Sequence, residues 1–208
     1  MDINQKITEE LGVKRWQVDA AVRLIDEGST IPFIARYRKE ATGTLNDEQL
    51  RTLHERLTYL RGLEEKKEQV LGSIEEQGKL TEELKNQILA AETMVVVEDL
   101  YRPYRPKRRT RASIAKEKGL EPLAVLITLQ KTDRPPEELA EEYVDEEKGV
   151  KSAAEAIQGA RDIIAENISD DADYRSYIRS VTMKKGRVIS AAKDPEAESV
   201  YEMYYDFE

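Results

Sequence analysis

The chain has 208 residues, 39% of them apolar and 36% charged, a formal charge of −9 and no cysteine. Against roughly 45 to 50% apolar and about 25% charged in an average soluble domain, that is much surface for little core, as in an elongated helical body or a fragment of a larger protein. The lack of cysteine excludes disulfides, thiolate metal sites and cysteine nucleophiles; no run approaches the roughly 20 apolar residues of a membrane span, and the N-terminus lacks a signal peptide's basic-then-apolar order, so a cytoplasmic protein is expected.

The first forty residues pattern as three short helices. Ile3, Ile7 and Leu11 recur every four residues before Gly12, which suits the left-handed position past a helix end. A second helix from about Arg15 to Glu27 carries the stripe Val18, Ala21, Val22 and Ile25 and closes at Gly28. A third begins near Pro32, carries Phe33, Ile34 and Tyr37, and runs until Gly43. The three form a helix-turn-helix-like opening.

Asn46, followed by Asp47 and Glu48, caps a long helix expected from Asp47 to Gln77. Leu50, Leu57 and Leu71 fall in one heptad column and Leu53, Leu60 and Ile74 in another, with Glu64 and Lys67 interrupting both. At 1.5 Å per residue this helix is roughly 45 Å long. Thr81 caps a shorter helix with Leu84, Ile88 and Ala91 inward, and Met94 to Tyr101 reads as helix despite three consecutive valines. From Arg102 to Arg111 the sequence is RPYRPKRRTR, six basic residues without an acid, which leaves 27 basic against 42 acidic residues elsewhere, a net of −15. Pro103 and Pro106 bracket Tyr104 and predict an extended path.

Beyond this strap come a helix closed by Gly119, another starting at Pro122, and a Pro135-Pro136 break that marks the best internal boundary. Ser152 and Ser169 are expected caps of two further helices, one burying Ala153, Ile157, Ala160 and Ile164, the other Tyr174, Ile178 and Val181 until Gly186. Arg187 to Ala191 reads as extended, and Asp194-Pro195 starts a last amphipathic stretch through Val200, Met203, Tyr204 and Phe207.

Catalytic signals are absent. His54 is the single histidine, so a zinc site or histidine triad lacks its usual partners. Gly78-Lys79-Leu80-Thr81 lacks the spacing of a phosphate loop, and Asp170, Asp171 and Asp173 read as a negatively charged first helical turn. Basic residues offer more. Arg102, Arg105, Lys107, Arg108, Arg109 and Arg111 present forks for phosphate, with Tyr101 and Tyr104 as rings for an unpaired base; alternatively, the strap lies across acidic helices of its own chain. Arg36 and Lys39 share a face of the third short helix, the place from which a helix-turn-helix reads DNA, although Glu40 opposes phosphate there.

Five stretches resemble the N-terminal region of Tex proteins: DEGSTIPFIARYRKEATGTL from Asp26, LRTLHERLTYLRGLEEKK from Leu50, SIEEQGKLT from Ser73, EDLYRPYRPKRRTRASIAKEKGLEPLA from Glu98 and GARDIIAENISDDADYR from Gly159. The resemblance implies a transcription accessory protein whose longer members continue into an RNase H-like domain, a helix-hairpin-helix unit and an OB-fold that contacts nucleic acid, similar in layout to a eukaryotic transcription elongation factor. It implies that the sequence stops within the helix leading to the RNase H-like domain.

The expectation is therefore an all-α, elongated multi-helix assembly: residues 1–101 an N-terminal helical region, 102–111 a basic strap, and 112–208 a second helical region. The chain is expected to be a non-enzymatic scaffold without cofactor or metal. Its expected partners are nucleic acid, single-stranded RNA ahead of sequence-specific DNA, the remaining domains of the full-length protein and the transcription machinery, but no membrane. The alternative is an interaction module that docks those domains through the Leu50 to Ile74 seam without touching nucleic acid.

Overall fold

Short polar caps and left-handed glycines set where the helices begin and end. In the computed structural model, which describes residues 1–106 and 109–207, the chain divides into two helical units, Met1–Tyr101 and Arg102–Glu208. Among the described residues the regular structure is essentially all α-helix, with one two-strand sheet.

In the first unit α1 spans Ile3–Leu11, opened by the Asp2 carboxylate, which accepts from the Gln5 N–H at 3.0 Å, and closed by Gly12 at φ 63°. Helix α2 spans Arg15–Asp26 and α3 Ile31–Tyr37. On α2 the buried set is Val18, Ala21, Val22 and Leu24; Ile25, expected inside, is only half-buried. Helix α3 stops at Tyr37, six residues before Gly43, because the chain turns at once: the Thr42 N–H reaches the Arg38 carbonyl at 3.1 Å and the Thr44 N–H the Lys39 carbonyl at 2.7 Å. Gly43 and Thr44 are both left-handed, at φ 58° and 62°, a conformation that a β-branched residue rarely adopts.

The central element is α4, Asp47–Glu76, whose Asn46 cap and Gln49 exchange hydrogen bonds with each other's backbone N–H groups. Helices α5, Glu82–Ala90, and α6, Met94–Tyr101, complete the unit, and α4 packs against all five of the other helices. Its buried stripe is Leu50, Leu53, Leu57, Leu60, Leu63, Lys67, Val70 and Ile74. Leu63 and Val70 thus replace Glu64 and Leu71 of the expected column, and Lys67 keeps the other column, 2% exposed. Its ammonium donates to the Leu89 carbonyl at 2.9 Å and lies 2.8 Å from Glu64 Oε1, outside hydrogen-bonding direction, while the Met1 amino group is 2.8 Å from Glu64 Oε2. Burial acts to raise the Glu64 carboxyl, but Lys67 and the amino group outweigh it and hold the carboxyl below its ordinary range. Two forked pairs tie α4 to its neighbours: Arg56 to Glu10 at 2.6 and 2.8 Å, and Arg61 to Asp26 at 2.7 and 2.9 Å. Each guanidinium holds its partner's carboxyl below the usual value.

The second unit opens with a 3-10 turn, Arg102–Tyr104, followed by α7, Arg111–Glu117, α8, Glu121–Leu129, α9, Pro136–Glu141, and α10, Ala153–Asp170. Helix α10 packs against α7, α8 and α9 around Leu120, Leu123, Leu139, Val150, Ala156 and Ile163. The Pro135-Pro136 pair is therefore no boundary: Leu123 before it and Leu139 after it share one core. It starts α9, where a ring costs no hydrogen bond. On α10 the fully buried positions are Ala156, Gly159, Ala160 and Ile163, whereas Ala153, Ile157 and Ile164 lie on the flanks. Small residues hold the centre because the neighbouring helix comes close: a Cβ on Gly159 would collide with Leu120 Cδ1 and stand 3.2 Å from the Ala115 Cβ.

Ser152 caps α10 as expected, accepting from the Glu155 N–H. Ser169 does not cap α11, Ala172–Lys185; it lies inside α10, and Asp171 takes the role, accepting from the N–H groups of Asp173 and Tyr174 at 2.9 and 3.0 Å. Asp171 is at once the last cap of α10 and the first of α11. No residue of α11 is buried, so Tyr174, Ile178 and Val181 are not a core face. After it, β1, Ser190–Ala191, pairs antiparallel with β2, Asp206–Phe207. The stretch from Asp194 is not a helix beyond a 3-10 turn at Glu202–Tyr204: Asp194 accepts from the Glu196 N–H at 3.2 Å, a side-chain turn that competes with helix start.

Candidate nucleic-acid interface

The basic segment starts as a turn where an extended path is expected. Pro103 fits a first 3-10 turn because its fixed φ is nearly helical and its missing N–H falls where no partner is needed. Arg102, the first of the turn, donates from Nε to Asp170 Oδ1 at 2.9 Å, against a carboxylate side chain only 10% exposed. Tyr104, the third, is half-buried. Arg102 thus answers an acid of its own unit, as the second sequence reading allows.

Arg105, Arg109 and Arg111 are exposed. Arg109 lies 3.1 Å from Glu117, both side chains well over half exposed. A pair in such surroundings is worth about 0–1 kcal/mol and yields readily to a phosphate. Arg111 is set at the first position of α7 by a reciprocal cap, in which Thr110 and Ser113 each accept the other's N–H at 3.0 and 2.8 Å. Lys107 and Arg108 lie outside the described residues. The fold also brings Lys118 and Lys151 to line one hollow of about 340 Å³ with Arg111, opposed there by Glu155 and Asp162. No local sequence signal joins residues so far apart; only the packing of α7 on α10 does. Tyr101 is tied elsewhere, its hydroxyl 3.0 Å from that of Ser73.

Arg36 and Lys39 do not share a helix face, because α3 ends between them. Arg36 lies 6.0 Å from the Tyr37 ring centroid, Arg38 lies 5.5 Å from that of Phe33, and the two rings are 5.4 Å apart. His54 is exposed on α4. Of the three aspartates, Asp170 faces Arg102, Asp171 caps α11, and only Asp173 stands in the first turn. Among the described residues no group of three or more His, Asp or Glu could hold a metal ion, and no helix is long and apolar enough to cross a membrane.

These features define a two-unit, all-α protein with basic groups gathered at two surface positions. The chain belongs to the Tex family: residues 1–75 match the Tex-like protein N-terminal domain and residues 131–208 the Tex central region-like domain. It is 46% identical over 210 residues to the transcriptional accessory protein Tex of Neisseria gonorrhoeae, covering 99% of this chain and 27% of that protein. It is 51% identical over 185 residues to the protein tex of Bordetella pertussis, covering 89% of this chain and 23% of that one. The human S1 RNA-binding domain-containing protein 1 is 29% identical over 186 residues, 88% of this chain and 18% of its own length. The chain spans less than a third of the length of these curated relatives.

Proposed function

We propose that this chain is a helical scaffold of a transcription accessory protein and that it contacts single-stranded nucleic acid through Arg102–Arg111, in a binding rather than a catalytic role. The observation that carries the reading is six basic residues without an acid in one short segment of an otherwise acidic chain, with Arg105, Arg109 and Arg111 exposed. Arg102 serves as its anchor through Asp170. The names of the relatives, one for transcription and one for RNA binding, support the same direction.

The test is a titration of labelled single-stranded RNA and of duplex DNA at several salt concentrations. If the five basic residues other than Arg102 neutralise phosphates, log K falls against log salt with a slope of roughly 3.5 for the single strand. Arg108→Glu with Arg109→Glu is expected to weaken binding and lower the slope by about 1.4 or more. Unchanged affinity and slope would show that the segment is not the contact.

A second role is favoured by α11, where Tyr174, Tyr177 and Ile178, at i, i+3 and i+4 on one face, are 54%, 69% and 60% exposed. An apolar face this open is a docking surface, here for further parts of the longer protein. The Leu50 to Ile74 seam does not serve, being closed within the first unit. Hydrogen exchange on this chain alone and within the full-length protein is expected to show new protection across residues 172–185 and none along the seam; unchanged exchange on α11 would count against docking there.

A further inference from the structure

The turn that follows α3 is built with more care than a connection requires. Thr42 is completely buried, and its hydroxyl lies 3.2 Å from the Arg38 carbonyl and 3.4 Å from that of Lys39. The Gln17 amide reaches across from α2 to donate to the carbonyls of Thr42 and Gly43 at 3.2 and 2.8 Å. Trp16 packs so closely on Gly43 that a Cβ there would collide with its ring. Thr44, in its unfavourable left-handed conformation, is held by the 2.7 Å bond to Lys39. Strain held in place by surrounding contacts is a mark of clamps and binding sites.

What this frame presents is unusual for the unit. Phe33 and Tyr37 are 39% and 63% exposed, side by side, each with a guanidinium near its ring. Arg15, Arg51, Arg56 and Arg61 hold carboxylates, while Arg23, exposed on α2, has no such pair among the described residues. Among the described residues Arg36 and Arg38 pair with none, in a chain with 42 acidic residues, and they lie over rings instead. Lys39 follows, exposed, and Glu40 is the one acid next to them.

Rings and guanidinium planes are the two surfaces on which unpaired bases stack, and the same guanidiniums reach the flanking phosphates. An acidic peptide would use the charges but leave the rings idle. We infer that Phe33, Tyr37, Arg36 and Arg38, with Lys39, form a second contact for single-stranded RNA, in which bases stack on the ring pair and the cations take the backbone. This goes beyond the arginine segment to another surface, and it rests on the reading that the chain binds nucleic acid at all.

The test uses the whole chain with three probes: a labelled single-stranded RNA, inorganic polyphosphate, which carries the charge without bases, and polyglutamate. Tyr37→Ala is expected to weaken RNA binding about tenfold while leaving polyphosphate binding and the salt slope unchanged, and Tyr37→Phe is expected to retain wild-type affinity. Arg36→Gln with Arg38→Gln is expected to lower the RNA salt slope by about 1.4. RNA affinity unchanged in Tyr37→Ala, in a protein whose Arg108→Glu with Arg109→Glu variant loses binding, overturns this contact and leaves the arginine segment standing. Polyglutamate binding as tight as RNA also overturns it, and no RNA binding by the wild-type chain overturns both.

Discussion

Leu57→Ala is expected to destabilise the first unit by about 3 to 5 kcal/mol, read as a lower denaturation midpoint with an unchanged dependence on denaturant. Leu57 is 1% exposed in the middle of α4, with Leu53 and Leu60 on either side equally closed. Truncation there removes apolar burial and leaves a cavity that the surrounding helices cannot fill, since α4 is the element on which all of them rest. The size of the loss also bears on function. A leucine in a seam awaiting a partner would cost well under about 1 kcal/mol when shortened in the isolated chain. A loss that small would reopen the seam as a docking face.

Lys67→Ala is the second large effect, about 2 to 3 kcal/mol. Removing one member of a buried pair typically costs about 3 to 5 kcal/mol because the other is left uncompensated; here the figure is smaller because Glu64 is 28% exposed and keeps the Met1 amino group. Lys67→Met fills the same space and leaves mainly the Leu89 carbonyl without its donor, so a loss nearer 1 kcal/mol is expected. The pH dependence has a definite sign. Glu64 has a carboxyl lowered from 4.5, so its contribution is full above that value and disappears as pH falls through the lowered one. The gap between wild type and Lys67→Met should therefore narrow below about pH 4, as thermal melts across pH 3 to 7 would show. A gap that widened toward acid would mean that Lys67 is not held by Glu64.

Much of the helical plan was legible because it rests on local chemistry. Asn46, Thr81, Ser152 and the left-handed Gly12 each act within four residues, and each stands where the pattern placed it. What failed depended on distant packing or on a competition between neighbours. On α10 the Ile157 and Ile164 column looked like the core, but the near approach that crowds Gly159 moved the centre to the smaller residues. Asp171 displaced Ser169 as a cap two residues on, and the periodic apolar residues of α11 and of the stretch from Asp194 had nothing to bury against. The site was legible as composition and not as geometry. Clustered arginines could be counted, but Asp170 taking Arg102, and the Phe33 and Tyr37 rings taking Arg38 and Arg36, come only with the fold.

Asp171 joins two helices with no linker at all. A 14-residue α11 is about 21 Å long, so a rotation of ten degrees at this one residue carries the far end through roughly 4 Å. Lys184 and Lys185, in the last turn, are the residues that such a rotation would carry furthest.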